Sequence, residues 1–86
     1  MTLSLHPNET KLRTVLAAIL EINETSIDDE TSMDTVEVWD SLKQIFLILA
    51  LEEQFEVSLD EDKAVEMVSV PLIRDGLRAH GVEFDR

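Results

Sequence analysis

Glycine and proline are scarce in this chain, two of each among 86 residues. A sheet of tight hairpins needs such residues at its turns, so an all-β fold is disfavoured from the start. Twelve leucines and long stretches free of both breakers favour helices instead. The length allows one domain, taken as residues 1–86. So short a chain buries only about 60% of its unfolded surface or a little more. Apolar residues make up 44%, enough for one modest core and too many for a disordered acidic tail.

Periodicity places the helices. Leu12, Val15, Leu16 and Ile19 repeat at i, i+3, i+4 and i+7, with Leu20 widening the stripe, so a first helix is expected over 8–22. Asn8 is its expected N-cap and Asn23 its exit. Residues 23–40 are polar, acidic and aperiodic, and read as a long loop tacked down by Ile27, Met33 and Trp39. A short strand at 35–39 is the rival reading. A second helix is expected over 41–55, capped by Asp40 or Ser41. From Ile45 to Leu51 it is apolar on every face. Either part of that surface faces a partner or an apolar ligand, or this is a crowded core helix with one or two leucines exposed. Ser58 and Glu61 fit a capping box for a short third helix through Met67. Ser69 caps a fourth, with Pro71 in its first turn and a stripe of Leu72, Ile73 and Leu77, closed by Gly81. Residues 82–86 read as a frayed tail. The expected fold class is therefore all-α, a four-helix bundle with a helical core over about 8–81.

Nineteen acidic against seven basic residues give a net charge of −12. Fourteen of the acids and only Lys43 among the bases fall between Glu21 and Asp62. Such a segment repels phosphate backbones and anionic membranes, so neither nucleic acid nor membrane is an expected partner. Basic protein partners fit the charge, and so does mere solubility. The N-terminal Met1–Pro7 lacks the features of a secretory signal, and no apolar run is long enough to span a membrane. The expectation is a cytoplasmic monomer.

Chemistry of the chain's own is hard to find. There is no cysteine, hence no disulfide and no intrinsic thiol. The acidic runs at 28–30 and 60–62 lack the spacing of a calcium loop, and His6 and His80 lack metal-ligand spacing and read as solvated. No metal site and no catalytic residue is expected. No Gly-rich phosphate loop or serine-nucleophile elbow is present. Ser41 remains, at the junction of the long loop and the second helix, either as a helix cap or as a functional hydroxyl.

At Asp40-Ser41-Leu42 the sequence resembles the acyl carrier proteins, whose attachment motif is Asp-Ser-Leu. The context strengthens the match: a long acidic loop precedes it, and Leu49-Ala50-Leu51-Glu52-Glu53-Gln54-Phe55 follows, close to that family's second-helix ending. The likeness runs over about 8–81. It implies that Ser41 accepts 4′-phosphopantetheine from a phosphopantetheinyl transferase, with Asp40 and Leu42 presenting it, and that the arm's thiol carries cargo as a thioester. It implies docking of the acidic second-helix region, Glu52 and Glu53 included, on basic patches of acyl-loading and acyl-transferring enzymes. It implies a cleft for an acyl chain lined by Leu42, Ile45 and Leu51. Trp39, Lys43 and Phe46 depart from the housekeeping fatty-acid carriers, which have a small residue at the first position and acidic ones at the others. Lys43 and Phe46 thus mark a partner face of their own, unless Phe46 packs under the loop with Trp39. The expectation is a dedicated carrier in a specialised lipid or polyketide pathway; an aminoacyl or peptidyl carrier and a cofactor-free acidic interaction module are the alternatives.

Overall fold

The computed structural model describes residues 6–84. The reading of the extreme N-terminus as no secretory signal falls largely on residues 1–5, outside that range, as do Asp85 and Arg86. Four α-helices follow in order: α1 (Pro7–Leu20), α2 (Ser41–Phe55), α3 (Glu61–Ala64) and α4 (Val70–Ala79). A single 3-10 turn, Glu24–Ser26, interrupts the long connection between the first two. The all-α expectation holds. Among the described residues the one β-type pairing is an isolated bridge between Ser32 and Ser69, so the strand considered at 35–39 does not form.

Helices α1 and α2 run antiparallel. Lys11 at the start of α1 donates to the Gln54 carbonyl at the end of α2, and Lys43 at the start of α2 reaches Glu21 at the end of α1. Between them, Leu12, Leu16, Leu20, Leu47 and Leu51 are fully buried, joined by Met67, Ile73 and Leu77. Each such side chain contributes roughly 1.5–3 kcal/mol on leaving water. Gly76 lets α4 approach closely, because a Cβ there would meet the Met67 sulfur at 2.9 Å.

Several local expectations are corrected. The N-cap of α1 is His6, whose Nδ1 accepts from the Asn8 N–H; Asn8 instead donates its side-chain amide to the Glu83 carbonyl at 2.9 Å. The helix stops at Leu20, earlier than the pattern suggested, because Glu21 turns left-handed at φ 58°, and Asn23 caps the 3-10 turn. The third helix is only four residues long. Ser58 does not cap it, because α3 begins only at Glu61 with Asp60 in the N-cap position, two residues past the serine; the Leu59 N–H beside it donates to the Glu52 carboxylate at 2.8 Å. In α4 the cap is Ser69, as expected, but Leu72 faces water while Val70, Ile73, Gly76 and Leu77 face the core. The supposed tail is packed: Phe84 is buried, and its ring lies 6.1 Å from that of Phe55. Neither histidine is merely solvated, since His80 Nδ1 lies 3.0 Å from the Gly76 carbonyl.

One buried carboxylate joins the two ends of the chain. Glu9 in α1 receives two hydrogen bonds from Arg74 in α4, at 3.1 and 2.9 Å, and one from Arg13 at 3.3 Å. Arg13 also donates to the Ile27 carbonyl at 2.7 Å, and Arg74 reaches Asp29 at 3.2 Å, so the cluster clamps the loop as well. Burial by itself would raise the Glu9 carboxyl. The Arg74 hydrogen bonds and charge, with Arg13 behind them, outweigh it and hold the pKa below its ordinary value.

Candidate functional site

A long loop delivers Ser41, and the loop is tied down throughout. The Asp28 carboxylate accepts from the Glu30 N–H, and Ser32 and Thr35 close further small turns through their hydroxyls. Met33 N–H donates to the Val68 carbonyl and Val70 N–H to the Thr31 carbonyl, fastening the loop to the start of α4. Ile27 and Trp39 are buried and Met33 half-buried, as the tacking role required.

At the loop's end the choice between two caps is settled. Asp40 has extended backbone angles, and its Oδ1 accepts from the Lys43 N–H at 3.0 Å. Ser41 is the first residue of α2 and stands exposed. Its hydroxyl is therefore not the cap. It sits at the positive end of a 15-residue helix, where an attached phosphodiester is electrostatically favoured. Such a serine is poorly equipped to attack anything by itself, since activation needs an adjacent base. His6 belongs to the opposite end of α1, and the His80 ring contacts Gly76.

Behind the serine, Trp39 is 1% exposed and donates its indole N–H to Gln44 Oε1 at 2.7 Å. The Gln44 amide N–H groups in turn donate to the carbonyls of Ala64 at 2.9 Å and Met67 at 3.0 Å. An indole nitrogen only donates and a carbonyl only accepts, so these partners fix which way the amide points. Nothing in the sequence marks Gln44, because a glutamine in a helix carries no signal of its own.

The outer side of α2 is apolar and wet. Leu42, Ile45, Phe46 and Leu49 are 58%, 56%, 47% and 58% exposed. Within the run from Ile45 to Leu51, Ile45, Phe46 and Leu49 face water, more than a crowded core helix with one or two exposed leucines would leave, and Phe46 does not pack beneath the loop with Trp39. A groove of about 520 Å³ lies between α2 and α3, lined by Ile45, Ile48 and Leu49 on one side and by Ala64, Val65, Glu61 and Asp62 on the other. Of the three residues expected to line a cleft, Ile45 does so. Leu42 lies outside this groove and Leu51 is fully buried in the core. Lys43 is paired with Glu21 at 3.2 Å, Glu52 holds the linker through Leu59, and Glu53 is exposed.

The family model for the phosphopantetheine attachment site matches residues 10–71, from the first turns of α1 to the start of α4. The chain belongs to that family. Its members are carriers that hold 4′-phosphopantetheine covalently and do no catalysis themselves. They work with a phosphopantetheinyl transferase, which installs the arm, and with acyl-handling enzymes. When bound, the group supplies the thiol that this chain lacks. No helix of the described residues is long and apolar enough to cross a membrane.

Proposed function

We propose that Ser41 is the attachment residue and that the chain, acting as one carrier domain, conveys acyl groups in a specialised lipid or polyketide pathway. One observation carries the reading: Asp40 does the capping, which leaves the Ser41 hydroxyl exposed at the N-terminus of α2 with no structural task. The phosphodiester would sit on Ser41, with Asp40 fixing the turn that presents it. The mostly aliphatic lining of the neighbouring groove, Ile45, Ile48, Leu49, Ala64 and Val65, suits an acyl chain, with the carboxylates of Glu61 and Asp62 beside it. The partner face is the exposed stripe of Leu42, Ile45, Phe46 and Leu49. Phe46 serves as its anchor, and Lys43, Glu52 and Glu53 are the charged residues of the same helix. A partner for this face needs an apolar pocket as well as basic side chains, which separates this carrier from one recognised by acidic residues alone.

Intact mass after incubation with coenzyme A and a promiscuous phosphopantetheinyl transferase tests the assignment. The wild type should gain one phosphopantetheine, and Ser41→Ala should gain none while keeping its helical content. An adduct that survives the substitution, or none on the wild type, overturns it. Loading by an adenylating ligase with an amino acid, in place of an acyl group, would favour the aminoacyl alternative.

A further inference from the structure

The short helix α3 takes its fastening from Gln44. A four-residue helix has no stability of its own, and Asp60 at its start makes no side-chain cap bond. Val65, just beyond its end, is 70% exposed. What fastens this segment to α2 is the Gln44 side chain, through the carbonyls of Ala64 and Met67. The same amide holds Trp39 through its oxygen. Its three polar bonds therefore join the loop before Ser41, α2 and α3 at one point.

That point has a position that matters for cargo. Gln44 and Ile45 follow Ser41 by three and four residues, so all three share one side of α2. Gln44 lines the groove on its outer side, while its bonding partners beneath, Trp39 and Met67, are fully buried. The amide thus stands between an open apolar groove and the apolar core. We propose that Gln44 is a positioning residue: it holds α3 against α2 and keeps a chain carried on Ser41 in the surface groove and out of the core. The part concerning cargo rests on Ser41 being the attachment residue; the fastening of α3 does not.

Two variants separate the contributions. Gln44→Met keeps the length and removes all three hydrogen bonds. Gln44→Glu keeps an acceptor for Trp39 and removes both donors. In the unmodified protein, exchange of the Ala64 and Val65 amides should quicken at least tenfold in both variants, with amides in the middle of α1 and α4 within twofold of wild type. Exchange of the Trp39 indole N–H should quicken in Gln44→Met alone. Wild type and variants are then loaded with octanoyl-phosphopantetheine and their methyl resonances followed. In the wild type the chain should shift Ile45, Leu49 and Val65 and leave Leu47 and Met67 unmoved; in Gln44→Met it should shift Leu47 and Met67 too. If Gln44→Met does not fold, Gln44→Glu serves for both measurements. Unchanged exchange at Ala64 and Val65, or a wild-type chain that already shifts Leu47 and Met67, overturns the proposal. A protein that cannot be loaded refutes the Ser41 reading instead, and the exchange data still decide the fastening.

Discussion

Between α1 and α4 a carboxylate is buried, whereas along α2 four large apolar side chains face water. Both arrangements are costly, and they are compensated differently. Glu9 is compensated inside the molecule, by two guanidinium groups that saturate its oxygens. The stripe of Leu42, Ile45, Phe46 and Leu49 is compensated by nothing among the described residues. Apolar surface of this extent, uncovered on one helix of so small a domain, is the kind of feature that marks interaction sites, which is why the proposed partner face is placed there. The comparison teaches where to look: the seam is satisfied within the molecule, whereas the stripe on α2 is left to the proposed partner.

The sharpest way to break this division uses two neighbours on α2. Leu47→Ala should cost about 3 kcal/mol, since it opens a cavity beneath the helix, and should lower Tm by roughly 15 °C. Phe46→Ser, one residue away, should change stability by less than about 0.5 kcal/mol and weaken partner binding. Thermal melts of the pair decide the matter; comparable losses would mean that Phe46 belongs to the core after all.

The next largest effect is expected at the seam. Glu9→Gln removes a charge that Arg74 and Arg13 require, and should cost about 2 kcal/mol at neutral pH. That is less than for a fully buried pair, because the arginines are partly wet and solvent screens them. Because the folded-state pKa of Glu9 lies below its ordinary value near 4.5, its stabilisation is complete above that pH and fades as pH falls through the folded-state pKa. The gap between wild type and Glu9→Gln, measured by urea titration, should therefore narrow below about pH 4.5. A gap independent of pH would show that packing, and not charge, holds the seam.

A smaller effect belongs to the junction between the two regions. Asp40→Ala removes the cap of α2 and should cost about 1 kcal/mol, read as faster amide exchange in its first turn. A loss of about 1 kcal/mol in Ser41→Ala as well would return the serine to a structural task.

What the sequence disclosed was mostly local. The bounds of α2, the Ser69 cap and the tacking by Ile27 and Trp39 follow from neighbours a few residues apart, and apolar patterns carry that information well. What it concealed was remote. The Arg74 partner of Glu9 lies 65 residues along the chain, and the Glu83 carbonyl that occupies Asn8 lies 75 away. Ser58 and Glu61 match a capping box in sequence, yet α3 starts only at Glu61, a boundary that the neighbouring residue types do not encode. At the candidate site, Ser41 stood out through its motif and position. Gln44 did not, since its importance comes wholly from what three separate segments bring to it.

The hydrogen bond between Asn8 and Glu83 has a geometric consequence. The chain enters and leaves the bundle at the same pole. Helix α1 then runs about 20 Å to the other pole, at 1.5 Å for each residue, where Glu21 meets Lys43 and α2 begins. Ser41 thus stands at the pole opposite residues 8 and 83, so neither end of the described chain crowds the approach to its hydroxyl.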